Sequence, residues 1–228
     1  MYSDARVCYA LPMARGKRLP PGPKGLSRDQ VAQSQRKRLL SAMADAVAEK
    51  GYAKTTVADV LKRAEVSRAT FYQLFDNKDD CFRAAFDAFA GVLAQMMGSV
   101  LDGVRLAGDL DHIVKLDRVL TAYLAVLGSA RSHARVFLVE VYAAGPEVVR
   151  ERQASMERFA DVVAETHRGS KGLLGTEPEQ RFAVTAVVNA VSAMVTNAVA
   201  TGDFDAIPKL REPLLELARK INNVEGTK

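Results

Sequence analysis

The segment from Thr55 to Lys78, TTVADVLKRAEVSRATFYQLFDNK, constrains the fold more than any other because it specifies short helices separated by tight turns. Thr56 belongs to the residue types that cap helix N-termini, and a helical pattern over residues 57–64 follows it. Asn77 marks the start of a further helix in the same way, with Asp80 three residues later. The apolar residues of the first helix fall on one face: Val57, Val60, Leu61 and Ala64.

A second short helix is predicted over residues 68–75, with Ser67 as its cap and a turn at Glu65 and Val66 before it. Its residues divide into apolar ones that point inward and others that no packing argument requires. The inward residues are Val66, Phe71 and Phe75, and the others are Arg68, Ala69, Thr70, Tyr72 and Gln73. This arrangement is typical of a helix-turn-helix, which lays its second helix in the major groove of DNA.

Between residues 35 and 89 the chain resembles the TetR-type transcriptional regulators. The resemblance is carried by the helix pair that starts at Thr55 and Thr56, by V-S-R-A-T-F-Y over residues 66–72 and by F-x-x-K over residues 75–78. It extends to the plan of the whole chain. The resemblance implies an all-α fold, with an N-terminal three-helix helix-turn-helix head for DNA binding and a C-terminal helical bundle for ligand binding and dimerisation.

The chain departs from the usual family pattern at three positions. Glu65 stands where the family usually has Gly, Leu74 where it often has His or Tyr, and Cys81 where it usually has Leu. A non-glycine residue at a positive φ costs on the order of 1 kcal/mol, so Glu65 would make the turn at some expense of stability. Leu74 removes a polar contact to DNA, which neighbouring side chains must then supply. Neither Glu65 nor Leu74 breaks the motif.

Side chains of the helix-turn-helix are assigned to two kinds of DNA contact. Arg68, Thr70 and Gln73 are assigned to base edges or nearby phosphates, because Arg pairs bidentately with guanine and Gln with adenine. Ala69 is small enough for a close approach. The residues assigned to phosphates are Thr56, Ser67, Tyr72 and Lys78, and the resemblance implies DNA contacts for the matching Thr, Ser, Thr, Tyr and Lys. The alternative for Tyr72 is a surface aromatic residue without a function.

Positive charge is concentrated in the N-terminal third of the chain. Residues 1–80 contain 15 Lys and Arg against 9 Asp and Glu, a net charge of +6, whereas residues 81–228 contain 17 against 18, a net charge of −1. Phosphate binding requires such an excess beside the helix-turn-helix. Residues 1–26 are rich in Pro, Gly and basic side chains, and we expect a flexible arm that reaches a minor groove through Arg15, Lys17, Arg18 and Lys24. The alternative is an inert solvated tail.

The 228-residue chain is predicted to be all-α, with a DNA-binding domain over residues 27–80 and an effector-binding and dimerisation domain over residues 81–228. Ser27 and Gln30 form a capping box for a helix over residues 28–50. A long helix over residues 78–104 should link the two domains, and later helices are suggested near 110–128, 132–143, 146–168, 178–201 and 207–222. No apolar run reaches about 18 residues without a polar interruption, so no transmembrane helix is expected.

A homodimer on a pseudo-palindromic site is expected because one short recognition helix contacts few bases. Residues 178–200 form a helix that is apolar or small on nearly every face, and such a helix must be buried on all sides. Together with the last helix it would build a four-helix interface, which the resemblance also implies. The alternative is a helix buried within a monomer. The predicted interface residues are Phe182, Ala186, Val187, Ala190, Val191, Met194, Leu210, Leu214, Leu217 and Ile221.

Large side chains between residues 82 and 167 suggest a pocket for a largely apolar small-molecule effector. For each residue alone, ordinary core packing is the alternative. In the family, ligand binding in this region moves the two heads apart and lowers DNA affinity, and we expect the same here as a difference in ligand affinity between two states. The candidate lining residues are Phe86, Phe89, Met96, Met97, His112, Tyr123, Phe137, Tyr142 and Phe159.

These features predict a cytoplasmic, nucleoid-associated regulator of transcription, a homodimeric repressor that binds a double-stranded DNA operator without a metal or cofactor. An enzyme is disfavoured because the chain has 3 His and lacks the H-E-x-x-H, C-x-x-C and G-x-S-x-G patterns and a phosphate-binding glycine loop. The two cysteines, Cys8 and Cys81, favour a reducing compartment over a structural disulfide. The alternative is a sequence-tolerant architectural DNA-binding protein without effector control, but its positive charge would extend along the whole chain.

Overall fold

A computed structural model describes residues 27–108, 110–166 and 177–225. Every regular element in these ranges is helical, which confirms the prediction of an all-α fold. Short 3₁₀ turns follow α6 and precede α9, at Glu140–Ala143, Phe204–Ala206 and Pro208–Leu210. The α-helices are α1 Arg28–Lys50, α2 Val57–Ala64, α3 Arg68–Leu74, α4 Lys78–Leu106, α5 His112–Ser129, α6 Arg131–Leu138, α7 Pro146–Thr166, α8 Glu177–Thr201 and α9 Arg211–Glu225.

The N-terminal helices begin at the caps that the sequence predicts. Ser27 and Gln30 exchange both hydrogen bonds of a capping box, and Thr56 does so with Asp59. The Asn77 side chain accepts a hydrogen bond from the Asp80 N–H at the start of α4. The boundaries of the later helices differ more from the predicted ones. The helix predicted over 132–143 ends at Leu138, and α9, predicted from residue 207, begins at residue 211 after the 3₁₀ turn that contains Pro208.

Helices α1, α2 and α3 form the head around one set of buried side chains. Val66, Phe71 and Phe75 are buried, as the split of the α3 face predicts. Glu65 ends α2 in the left-handed region, with φ 51° and ψ 45°. Among the described residues, Glu65 is the one residue other than glycine that has a positive φ. A glycine would relieve the steric cost of the left-handed backbone, and the chain makes this turn without one.

Helix α4 belongs to the head and to the body at once. It packs on α1 of the head and on α5, α6 and α7 of the body. One side of α4 is buried: Cys81, Phe82, Ala85, Phe86, Phe89, Leu93, Met97, Leu101 and Val104. Burial raises the pKa of the free Cys81 thiol to about 12, so this thiol stays protonated and unreactive near neutral pH. Within the body, α7 also packs on α8, α5 packs on α9, and α6 packs on α5 and α8.

Two helices in the described part of the chain are long and apolar enough, by length and composition, to cross a membrane. They are α4, with a mean hydropathy of 1.4 in its most apolar stretch, and residues 181–201 of α8, with 1.7. Length and composition alone are weak evidence, because core helices meet the same criterion. In α4 the apolar residues pack in the core of this protein. The absence of a transmembrane helix therefore stays a prediction.

The left-handed turn at Glu65 generates a stability prediction. We expect Glu65→Gly to be more stable than Glu65→Ala by about 1 kcal/mol, because both remove the carboxylate but only glycine relieves the left-handed backbone. Chemical denaturation followed by circular dichroism measures the difference. An alanine variant as stable as the glycine variant would show that the turn carries no steric cost.

Candidate nucleic-acid interface and body cavity

The outer face of α3 carries side chains that lie outside the core of the head. Arg68, Ala69, Tyr72 and Gln73 are all exposed, and the Tyr72 side chain is 48% exposed. The Arg68 guanidinium carbon lies 5.7 Å from the centre of the Tyr72 ring. The Tyr72 ring in turn packs edge-on against the buried ring of Phe71, with the ring centres 5.3 Å apart. These contacts hold one cation and one aromatic ring side by side on the exposed face of α3.

The two hydroxyls at the N-terminus of α3 contact each other. Ser67 Oγ accepts a hydrogen bond from the Thr70 N–H at 3.1 Å, and it lies 2.9 Å from Thr70 Oγ1. Ser67 is exposed, whereas Thr70 is partly buried. Thr70 therefore lies at the edge of the exposed face, and its hydroxyl already has a partner within α3.

At the start of α2, a carboxylate is fixed by two neighbours. Asp59 accepts hydrogen bonds from the Thr56 N–H at 3.0 Å and from the Thr56 hydroxyl at 2.7 Å, and it pairs with the Lys50 ammonium. The hydrogen bond from Lys50, followed by those from Thr56, lowers the pKa of Asp59 far below its ordinary value. The Thr56 hydroxyl, a predicted phosphate contact, is thus engaged in the cap while the residue itself is exposed.

Lys78, the other predicted phosphate contact at a helix N-terminus, is directed toward Tyr52 in the turn between α1 and α2. Its ammonium donates to the Tyr52 carbonyl at 3.1 Å and lies 4.1 Å from the centre of the Tyr52 ring. The Tyr52 hydroxyl bonds to Asp79 at the same end of α4. Burial, and then the bond to Asp79, raises the pKa of Tyr52. Sequence reasoning missed Tyr52, and its partners in α4 lie too far along the chain for a local pattern to indicate them.

The sequence matches a known family over this part of the molecule. The sequence model for bacterial regulatory proteins of the tetR family matches residues 39–85, which include α2, α3 and the connection to α4. Residues 39–85 therefore share the helix-turn-helix sequence of the TetR family. The chain is accordingly a DNA-binding helix-turn-helix protein of transcription regulation.

Solved structures share the fold over most of the chain. The fatty acid degradation regulator FadR from Bacillus halodurans matches with a TM-score of 0.61 and 20% identity, covering 84% of this chain and 97% of its own. A TetR-like regulator from Rhodococcus sp. RHA1 matches with 0.63 and 22%, covering 86% and 99%. FadR from Bacillus subtilis, solved with stearoyl-CoA, matches with 0.60 and 20%, covering 79% and 95%. No curated protein matches the sequence significantly.

The body has a cavity of about 400 Å³ between α4, α5, α6 and α7, open to solvent on one side, where Gly91, Ala94 and Arg158 are exposed. Of the predicted lining residues, Met97, Tyr123, Phe137 and Phe159 do line it. The others are placed elsewhere: Phe86 and Phe89 are buried in the core, Met96 is partly buried against that core, and Tyr142 is exposed. Nothing is described of the His112 side chain.

The cavity owes its volume to small residues on α4, a signal that sequence reasoning missed. Ala90, Gly91, Ala94 and Gly98 all line it, and they recur at helical spacing on one face. No heavy atom would lie within 4 Å of a Cβ added at Gly91 or Gly98. The polar residues at the cavity are Asp87, Ser155 and Arg158, with the buried hydroxyl of Tyr123. The space therefore suits a largely apolar molecule with few polar groups.

The predicted interface residues of α8 divide between two faces. Val191 packs inside the protomer and is 5% exposed, because the inner side of α8 contacts α6 and α7. Leu210 and Leu214, next to and in α9, are partly buried against the same core. The exposed set is Phe182, Ala186, Val187, Ala190, Met194 and, on α9, Leu217. Ile221 has no described side chain, and residues 15, 17, 18 and 24 of the predicted arm lie outside the described ranges.

The depressed pKa of Asp59 generates a prediction about pH. Because the folded-state pKa lies below the unfolded one, the stability that Asp59 contributes is present above its ordinary pKa near 3.8 and is lost as the pH falls below it. We expect Asp59→Asn to lower the thermal midpoint at pH 7, with the gap to the unaltered protein narrowing toward pH 3. In a Lys50→Gln background the same substitution should show a weaker pH dependence. A gap that stays constant from pH 7 to pH 3 would contradict the electrostatic role.

Proposed function

We propose that this protein is a homodimeric repressor that binds a pseudo-palindromic operator and is released from it by a largely apolar small molecule in the body cavity. The observation that carries the proposal is the exposed face of α3, where Arg68, Tyr72 and Gln73 lie outside the core of the head. Arg and Gln are the side chains that pair bidentately with guanine and adenine. A positive N-terminal third supplies the attraction to phosphates.

Dimerisation through α8 is supported by its outward apolar row. Phe182, at 76% exposed, Val187 at 49% and Met194 at 43% are on the outward side of one helix, together with Ala186 and Ala190. Exposed apolar side chains grouped in this way mark an interaction site, and a second copy of the chain offers a surface of the same chemistry. Two copies joined in this way would present two α3 helices to two half-sites.

Release by a small molecule is supported by the cavity and by the family. The cavity lies beside α4, the helix that also forms part of the head core, so an occupant would contact an element shared with the DNA-binding surface. Bacillus subtilis FadR was solved in complex with stearoyl-CoA, and this supports a ligand with a large apolar part here. A cytoplasmic location fits a regulator of transcription with a free, buried Cys81.

The second candidate is an architectural DNA-binding protein without sequence preference or effector control. The body carries a net charge of −1, which argues against DNA contacts along the whole chain. Equal retention of unrelated sequences would favour this candidate over the repressor.

DNA binding is tested with fragmented DNA from the protein's own genome, sequencing the fragments that the protein retains. We expect one or a few palindromic sites to be enriched. The control is a Tyr72→Ala, Gln73→Ala double variant. The loss of a Gln73 base contact removes about 1–3 kcal/mol of discrimination, the loss of Tyr72 removes a phosphate contact, and both side chains are exposed. Enrichment that persists in the double variant would place the DNA contacts elsewhere.

Dimerisation is tested by substituting Val187→Glu in the exposed row of α8. We expect the unaltered protein to have twice the mass of one chain in light scattering at micromolar concentration, and the variant to have the mass of one chain, because a carboxylate cannot be desolvated cheaply in an apolar interface. Val114→Glu on α5 is the matched control, since Val114 is 41% exposed. A dimeric Val187→Glu variant would exclude this face.

A further inference from the structure

A carboxylate of the body reaches into the turn between α1 and α2 of the head. Glu140, in the 3₁₀ turn after α6, accepts a hydrogen bond from the Tyr52 N–H at 2.8 Å through Oε2. Its other oxygen, Oε1, accepts from Arg135 Nε at 3.2 Å. Glu140 is 8% exposed, so both oxygens work in a largely dry environment. Gly51, the neighbour of Tyr52, lies close enough that an added Cβ would be 3.6 Å from Glu140 Oε2.

This bond adds a directional contact to the packing between α1 and α6. That packing is largely apolar and attracts without direction, and the Asp45 carboxylate of α1 also acts electrostatically on His133 of α6. A charge-assisted hydrogen bond weakens steeply when its length and angle leave the preferred range. If the head moved away, the Glu140 carboxylate would lose the Tyr52 N–H and keep Arg135 as its described partner, which is unfavourable while the site stays dry. Displaced positions of the head are therefore disfavoured.

The cavity and Glu140 are joined by one short helix. Phe137 lines the cavity and lies on α6, three residues before Glu140. Its ring stacks on Phe86 of α4 with ring centres 5.2 Å apart and meets Phe89 at 5.6 Å. An occupant of the cavity that displaces Phe137 would displace α6, and Glu140 would move with it.

We propose that Glu140 is a positioning residue through which the body holds the DNA-binding head in place, by its bond to the Tyr52 N–H. This inference rests on the proposed function and adds to it the contact by which cavity occupancy reaches α3. The path runs from Phe137 through α6 to Glu140, and from there to the α1–α2 turn. That turn is held to α4 by Lys78 and Asp79.

The test measures the distance between head and body within one protomer, without DNA and without a ligand. Spin labels are placed at Lys62→Cys on α2 and Ala125→Cys on α5, both exposed positions, in a Cys8→Ser background that keeps the buried Cys81. Labelled protein is diluted with unlabelled protein so that only pairs within one chain contribute. We expect a single narrow distance distribution, which Glu140→Ala broadens or shifts to a second distance. Glu140→Gln keeps an acceptor oxygen for the Tyr52 N–H and should restore the narrow distribution.

Two controls separate positioning from general stability. Glu157→Ala removes an exposed carboxylate of α7 whose partner among the described residues is the Gln153 amide at 3.2 Å, and it should leave the distance unchanged. Gly98→Leu places a side chain in the cavity and should shift the distance in the unaltered protein but not in the Glu140→Ala variant. If Glu140→Ala does not fold, Glu140→Asp replaces it, because its carboxylate is too short to reach Tyr52.

The outcomes distinguish this inference from the proposed function. A Glu140→Ala variant with the unaltered distance distribution would overturn the positioning role, whatever the DNA selection shows. The expected distances together with a failed DNA selection would support the positioning role and overturn the repressor. If both hold, Glu140→Ala should also remove the effect of Gly98→Leu on affinity for the selected operator, and an effect that persists would overturn Glu140 as the coupling residue.

Discussion

Helix α4 is shared by the head and the body, and the rest of the structure depends on this shared packing. Its Phe82 meets the Tyr52 ring of the head at 4.7 Å between ring centres, and one turn later Phe86 stacks on Phe137 of the body. Protein interiors are close-packed, so a shift of α4 cannot be absorbed at one end alone. The position of the head and the shape of the cavity are therefore set by the same helix.

Internal partners engage some of the predicted DNA contacts and leave others available. Thr56, Ser67, Thr70 and Lys78 have their polar atoms in caps or in the contact with Tyr52. By contrast, Gln73 is exposed, and the Arg68 guanidinium lies over the ring of Tyr72, which leaves its N–H groups available. Groups that are preorganised by internal bonds hold the backbone in register, whereas exposed side chains keep their hydrogen-bonding capacity for bases. Base contacts are thus best sought at Arg68 and Gln73.

Local signals in the sequence were sufficient for the head and insufficient for the cavity. Caps at Ser27, Thr56, Ser67 and Asn77 act over three residues, and the buried faces of α2 and α3 follow from helical periodicity. Phe86 and Phe89 were predicted to line the pocket because they are large and apolar. A large apolar ring fills space, however, and both side chains lie in the core. The cavity arises instead where α4 has small residues. The bond between Glu140 and Tyr52 spans 88 positions, and no periodicity connects them.

Helix α7 links the cavity to the outer apolar row of α8. Its Ser155, Phe159 and Val162 line the cavity. The same helix packs on α8, where Arg152 donates to the buried Ser192 at 3.0 Å and Asp161 pairs with Arg181 at 2.7 Å. A molecule in the cavity would therefore touch α4 and α6 on the side of the head and α7 on the side of α8. Directional polar contacts and apolar packing fix both the contact between head and body and the contact between α7 and α8. A change in one of these contacts would therefore alter the free energy of the other. The geometry of a dimer through α8 and the position of each head would then respond to the same occupant.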